Sequence, residues 1–173
     1  GFLDRFLQMG QPLHLMRALT ARQAIPRFAV DRTVSVMQAF AEEARVQGVT
    51  EVIGVATSAV REARNRMELL AAIRAGSGIQ VDLLAGEDEG RAAARSALVT
   101  LPFTDGVVVD IGGGSVQLAH VINRRVKEVA SLPLGSTRVS DAFLRSDPPL
   151  WMEVTALRRH AEAQLLALRW LRD

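Results

Sequence analysis

The sequence contains no cysteine and no tyrosine, and Lys127 is its only lysine. The absence of cysteine excludes disulfide bonds, thiol nucleophiles and cysteine-ligated metals in this chain. No run of about 18 apolar residues is present, so we expect no membrane span. No secretory leader is visible either. These absences lead us to expect a cytoplasmic protein.

The basic charge of the chain is almost entirely arginine, and it nearly cancels against the acids. The formal net charge is +2, from 21 Lys and Arg against 19 Asp and Glu. The arginines are scattered among acids on predicted helical faces, without a basic block, which argues against a nucleic-acid surface. Arginine carries a planar fork of donors that suits phosphate, but genomic composition bias also explains an arginine-rich chain.

The hydrophobic pattern predicts an α/β protein with two different halves. Helices alternate with short strands in the first half, which suggests parallel crossover units, and the second half reads as a β-meander. Asp31 is expected to cap the first long helix, and the stretch 52–56 is expected to be a short buried strand. The other predicted elements are a helix that stops at 76–78, a strand over 79–84, a helix after Gly86, strands over 107–111, 116–122 and 126–132 with a hairpin turn at 123–124, a helix from about Ser136, and a last helix from about Leu150 to the end.

Three consecutive glycines interrupt the β-pattern in Asp110-Ile-Gly-Gly-Gly-Ser115. Glycines lose much backbone entropy on folding, so such a run is expected where another group approaches the main chain closely. Successive N–H groups can form a nest for an anion. Asp110 can hold a divalent metal or orient water, and Ser115 adds a donor. A glycine hairpin without any ligand is an equally good reading of this motif alone.

Two further polar stretches follow predicted strands. Residues 57–61 place hydroxyls and Arg61 after one strand, and residues 86–91 place an acidic cluster with Glu89 at a helix start. Ligands in open α/β sheets bind beyond the carboxyl ends of the strands. A nest, a metal carboxylate, an arginine and a carboxylate base are the parts needed to transfer a phosphoryl group to water.

Four motifs follow one another along the chain: Ala56-Thr-Ser-Ala-Val-Arg61, Gly86-Glu-Asp-Glu-Gly-Arg91, Asp110-Ile-Gly-Gly-Gly-Ser115 and Leu132-Pro-Leu-Gly-Ser-Thr-Arg138. In this order they resemble the exopolyphosphatase/guanosine pentaphosphate phosphatase family of the actin-like ATPase superfamily. The resemblance implies a ribonuclease-H-like α/β fold, with parts of two lobes whose mixed sheets are flanked by helices. Residues 1–86 would be the C-terminal part of lobe I, and residues 87–173 the N-terminal part of lobe II.

The resemblance also implies an activity and roles for single residues. Glu89 matches the catalytic glutamate of the family. The implied reaction is Mg²⁺-dependent hydrolysis of the terminal phosphoanhydride of polyphosphate, or of the 5′-phosphate of guanosine pentaphosphate. A homodimer is left open. Asp110 would hold the metal, and the phosphate-binding residues would be Arg61, Gly112, Gly113, Gly114 and Ser115.

Two departures from the family pattern keep other functions open. Gln117 stands where the family usually carries a glutamate, which could weaken metal binding. The family's first phosphate loop, D-x-G-S-N-S, has no counterpart, so we expect an internal piece of a longer protein, inactive alone. The alternatives are a non-catalytic regulator that binds polyphosphate or an alarmone, and an ATP-dependent kinase of the same superfamily. Glu89 could also be a helix-start carboxylate, and Arg61 a surface partner of Glu62 or Glu42.

Overall fold

The computed structural model describes residues 8–19 and 23–172, and the chain divides into two compact units, Gly1–Leu83 and Leu84–Asp173. Each unit combines helices with a small sheet, which confirms the predicted mixed α/β class. The assignment of residues 1–86 and 87–173 to two lobes stays a prediction. Within the described ranges, none of the helices has the length and apolar character that a membrane crossing requires.

The first unit packs helices around a two-stranded parallel sheet. Gly54 lies opposite Val81 in this sheet, which confirms the predicted parallel crossover. Ile25, Val30 and Leu69 are each at most 2% exposed at the centre of its core. The elements are α1 (Leu15–Ala18), α2 (Arg27–Val46), β1 (Gly54–Ala56), α3 (Ser58–Glu62), α4 (Arg66–Ser77) and β2 (Val81–Leu83).

Helix α2 begins earlier than the sequence predicted. Pro26 is its N-cap, and the helix starts at Arg27, so the assignment of Asp31 as the cap is wrong. Pro26 has the extended backbone usual for an N-cap, with ψ 156°, and its carbonyl accepts the first helical hydrogen bonds, from the N–H groups of Ala29 and Val30. Asp31 lies one turn inside and pairs with Arg27 at 3.0 Å.

The predicted buried strand over 52–56 is also wrong in two respects. The strand is limited to Gly54–Ala56. The side chains of Val52, Ile53 and Val55 are 46%, 80% and 54% exposed. These three apolar side chains are not part of the buried core of the first unit.

The second unit is an antiparallel three-stranded sheet with helices on both faces. The strand order is β3-β4-β5, which confirms the predicted meander. Asn123 and Arg124, both with positive φ, form the predicted hairpin turn. The elements are α5 (Gly86–Thr100), β3 (Gly106–Ile111), β4 (Val116–Ile122), β5 (Arg125–Leu132), α6 (Ser136–Phe143), α7 (Trp151–Leu166) and a 3₁₀ turn (Arg169–Leu171).

The central strand β4 contributes to two separate cores. Ala119 and Val121 pack with Ala94 of α5 on one face. Val116 and Leu118 pack with residues of α7 and the 3₁₀ turn on the other. Because side chains alternate along a strand, Gln117 lies on the α5 face.

The last helix is shorter than predicted. It ends at Leu166 instead of continuing to the end of the chain. The 3₁₀ turn that follows brings the Trp170 ring onto His120, with ring centroids 5.6 Å apart and nearly parallel planes. The turn thus places the Trp170 ring against the core that β4 shares with α7.

Candidate active site

The glycine turn connects β3 to β4 as a tight antiparallel hairpin. Ile111 and Val116 are the last paired residues before the turn. The Gly112 N–H donates to the Ser115 carbonyl at 3.0 Å and closes the loop. The N–H of Gly112 is therefore engaged inside the turn.

The start of helix α6 binds the carbonyl groups of the turn. The Ser136 N–H donates to the Gly112 carbonyl at 2.9 Å. The Arg138 N–H donates to the Gly113 carbonyl at 3.0 Å, and Arg138 Nε donates to the Gly114 carbonyl at 2.7 Å. Three successive carbonyls of the turn are thus held by two residues of one helical turn.

Three N–H groups of the turn are directed away from α6. Each trans peptide carries its N–H opposite its carbonyl, so the N–H groups of Gly113, Gly114 and Ser115 face away from their α6 partners. Among residues 8–19 and 23–172, these three N–H groups have no hydrogen-bond acceptor. Gly113 is exposed, whereas Gly114 and Ser115 are buried. Successive N–H groups of this kind can hold a phosphate oxygen, and phosphate binding here stays a prediction.

Gly135 makes the contact between α6 and the turn close. A Cβ at Gly135 would overlap the Gly114 carbonyl carbon and the Ser115 nitrogen. Only glycine leaves room for this approach of two main-chain segments. The motif over 132–138 was recognised in the sequence, but the roles of Gly135, Ser136 and Arg138 were not predicted from it.

Glu89 lies in the first turn of α5, as the sequence predicted. Its N–H donates to the Ala85 carbonyl at 3.0 Å. Glu87 and Asp88, also in this turn, are exposed, whereas Glu89 is half-buried. Of the three acids, Glu89 is the one directed towards the sheet.

Gln117 connects Glu89 to the glycine turn. Its Nε2 lies 2.8 Å from Ser115 Oγ and 3.4 Å from Glu89 Oε2. Ser131 Oγ on β5 lies 3.3 Å from the same nitrogen. Gln117 and Ser115 are only 2% and 6% exposed. The candidate base and the candidate phosphate loop therefore share one buried hydrogen-bond network within one unit.

Gly90 allows helix α5 to lie directly on this network. A Cβ there would lie 2.6 Å from Val129 Cγ1 and 3.3 Å from Gln117 Cβ. The missing side chain places the backbone next to Glu89 close to β4. Sequence reasoning gave no role to Gly90, and noted Gln117 only as a departure from the family pattern.

Asp110 lies at the end of β3, directly opposite Gln117 on β4. Residues paired across strands project to the same face, so Asp110 lies on the α5 side of the sheet. Its side chain is exposed. In the described part of the chain, no three or more His, Asp or Glu side chains are grouped to hold a metal. Mg²⁺ is usually held by one or two carboxylates together with substrate phosphates and water, and a single exposed carboxylate beside a candidate phosphate loop fits that pattern. Metal binding by Asp110 stays a prediction.

Arg61 belongs to the first unit. It is half-buried in the last turn of α3, which follows β1 after Thr57. Its carbonyl accepts a hydrogen bond from Arg66 Nη1 at 3.3 Å. The short helix α3 was missed from the sequence, because five residues carry too little periodicity to reveal it. The phosphate contact of Arg61 stays a prediction.

The whole chain is similar to proteins of one known family. The sequence matches the Ppx/GppA phosphatase family over residues 1–171. It is 33% identical over 155 residues to Exopolyphosphatase 1 of Mycobacterium leprae, which covers 88% of this chain and 46% of that protein. The chain thus spans about half the length of the relatives it matches.

Solved structures give the same result for the fold. The Aquifex aeolicus Ppx/GppA family member is 30% identical with a TM-score of 0.75, covering 90% of this chain and 51% of that chain. An exopolyphosphatase from Cytophaga hutchinsonii is 26% identical with a TM-score of 0.79, covering 84% and 47%. These matches confirm the predicted actin-like ATPase fold class. With a family match along nearly its full length and the same fold, this chain belongs to the Ppx/GppA phosphatase family.

Proposed function

We propose that the protein containing this chain is a phosphohydrolase that releases the terminal phosphate of inorganic polyphosphate. The observation that carries the proposal is the hydrogen-bonded connection from Glu89 through Gln117 to Ser115 of the glycine turn. It joins a carboxylate to the turn that carries the N–H groups of Gly113, Gly114 and Ser115. The name of the Mycobacterium leprae relative, an exopolyphosphatase, supports the same substrate. The 5′-phosphate of guanosine pentaphosphate is a second candidate substrate, because its terminal phosphate offers the same chemistry.

The proposed reaction is a direct displacement by water. The water oxygen forms a bond to the terminal phosphorus, and the bond from that phosphorus to the bridging oxygen breaks. Glu89 accepts the proton of the attacking water, and the N–H groups of Gly113 to Ser115 bind the phosphate oxygens. The shortened polyphosphate leaves with the bridging oxygen.

Asp110 is the residue that would hold Mg²⁺. When bound, the ion would supply positive charge to the phosphate oxygens. Arg61 stays a predicted phosphate contact, because a guanidinium carries a planar fork of donors.

The test is Glu89→Gln in the complete protein, measured as phosphate release from polyphosphate with Mg²⁺. The substitution keeps the shape of the side chain and removes its basic oxygen. Because general-base catalysis contributes roughly 10²–10⁴-fold, kcat should fall by about that factor while polyphosphate still binds. Near-normal turnover would remove Glu89 from the reaction.

A non-catalytic regulator that binds polyphosphate or an alarmone is the second candidate. Gln117 favours it, because a neutral amide lies beside Glu89 where a second acid could have assisted catalysis. Polyphosphate binding without phosphate release by the intact protein would support the regulator. Release of phosphate that depends on Glu89 would support the hydrolase.

A further inference from the structure

Gln117 is a buried polar side chain whose partners define its orientation. A primary amide has two N–H hydrogens on nitrogen and none on oxygen. The group that faces the Glu89 carboxylate oxygen Oε2, at 3.4 Å, is Nε2, which donates to it. Ser115 and Ser131 carry hydroxyls that accept as well as donate, and they are compatible with this orientation.

The amide nitrogen has fewer hydrogens than it has neighbouring acceptors. Its shortest contact, 2.8 Å, is with Ser115 Oγ. The second hydrogen is shared between Ser131 at 3.3 Å and Glu89 at 3.4 Å. The hydrogen bond to Ser115 is therefore the strongest of the three, and the longer hydrogen bond to Glu89 orients the carboxylate relative to Ser115.

The helix that carries Glu89 is fixed against the same side chain. Gly90 lies so close that a Cβ would be 3.3 Å from Gln117 Cβ and 3.6 Å from Gln117 Cγ. The methylene groups of Gln117 therefore pack against the helix backbone, while its amide reaches the carboxylate. Two contacts, one apolar through Gly90 and one polar through Glu89, therefore fix the position of α5 on β4.

We infer that Gln117 is a positioning residue for Glu89: its amide sets the place of the carboxylate relative to Ser115 of the glycine turn. This inference rests on the proposed hydrolysis, because it assigns Glu89 as the base. A base that is misplaced by about 1 Å costs on the order of 10²-fold in rate. The hydrogen bond restricts the rotamers of the Glu89 side chain.

The test is a double-mutant cycle of Gln117→Leu and Glu89→Gln in the complete protein, with polyphosphate and Mg²⁺. Gln117→Leu alone should lower kcat by about 10- to 100-fold and leave KM nearly unchanged. On the Glu89→Gln background, Gln117→Leu should change kcat by less than about twofold, because the residue acts only through that carboxylate. A merely structural role would reduce kcat equally on both backgrounds.

The control is Gln38→Leu, which also removes a side-chain amide donor. Gln38 Nε2 donates to the Gly76 carbonyl in the first unit at 3.2 Å, so kcat should stay at the wild-type value. If Gln117→Leu does not fold, Gln117→Met retains an unbranched chain without the amide and replaces it in the cycle.

The outcomes separate this inference from the proposed function. Equal losses on both backgrounds, or an unchanged kcat in the single variant, would overturn the positioning role while leaving the hydrolase intact. Wild-type protein that releases no phosphate would remove the proposed function, and the inference with it. A loss confined to the Glu89 background supports both.

Discussion

Gly135 lies against the peptide that joins Gly114 to Ser115, with no space for a side chain between the two segments. This contact sets the distance between the backbone of the glycine turn and the start of α6. The α6 hydrogen bonds to the turn carbonyls depend on it. We expect substitutions of Gly135 to displace the glycine turn more than they disturb the hydrophobic core.

Gly135→Ala should displace the turn and destabilise the second unit. The added Cβ meets backbone atoms, which cannot move aside by a rotamer change. We expect a loss of about 1–3 kcal/mol in the free energy of unfolding and weaker polyphosphate binding. Chemical denaturation and a binding assay measure the two effects. Gly10→Ala, where a Cβ would meet nothing within 4 Å, is the control; equal behaviour of the two variants would contradict the contact.

Gly113→Val tests whether the exposed side of the turn receives the phosphate. A Cβ at Gly113 would meet only Thr137 Oγ1 at 3.3 Å and Thr137 Cβ at 3.9 Å, so the fold should tolerate it. The branched side chain would cover the N–H groups of the turn. Polyphosphate affinity should fall at least tenfold, a penalty of about 1.4 kcal/mol, with little change in melting temperature. Unchanged affinity would mean that phosphate binds elsewhere.

Asp110→Asn should raise the Mg²⁺ concentration needed for half-maximal activity of the complete protein. The amide keeps the shape and removes the negative charge that would face the ion. A Mg²⁺ titration of phosphate release at saturating polyphosphate measures the effect. Asp141→Asn, an exposed acid on α6, changes the net charge equally and should leave the titration unchanged. An identical titration for Asp110→Asn would show that Asp110 does not hold the metal.

Glu153 makes part of the stability of the second unit dependent on pH. The N–H groups of Leu150 and Arg145 donate to its carboxylate and hold its pKa below the ordinary 4.5. The folded pKa is lower than the unfolded one, so this contribution is present above about pH 4.5 and is lost as the pH falls through the folded value. Ser146 Oγ, at 3.4 Å from the same carboxylate, acts in the same direction.

Glu153→Gln should therefore lower the melting temperature at neutral pH, and the gap to wild type should close below about pH 4.5. Thermal melts of both proteins across that range measure it. Glu162→Gln, at an exposed position of the same helix, should follow the wild-type curve. A gap that stays constant down to acidic pH would show that the carboxylate contributes nothing through these bonds.

Much of the second unit could be predicted from the sequence, because its signals are local. The apolar stretch 116–122, the hairpin residues Asn123 and Arg124, and the glycines before Ser115 are each recognisable from their immediate neighbours in the sequence. The position of Glu89 at the start of α5 followed from a strand, a glycine and an acidic first turn. These features do not depend on which other element packs against them.

The features that could not be predicted are contacts between distant segments. Nothing local indicates that Gly135 meets Gly114, or that Gly90 lies on Gln117, because each glycine is required by a partner far along the chain. The predicted burial of Ile53 was wrong because it, too, depended on contacts with distant segments: the side chain is 80% exposed. Its apolar character predicts burial, and whether a layer covers it is decided by tertiary packing.

The attachment of the glycine turn to α6 also changes the electrical character of the turn. The peptide units that accept hydrogen bonds from Ser136 and Arg138 at their oxygen ends present their N–H ends on the opposite side. Hydrogen-bonded peptides polarise one another in series, so the positive end of the α6 dipole is carried through these peptides to the N–H groups of Gly113 and Gly114. The positive end of the α6 dipole is therefore extended by one peptide unit beyond the helix, and the N–H groups of Gly113 and Gly114 are its outermost donors.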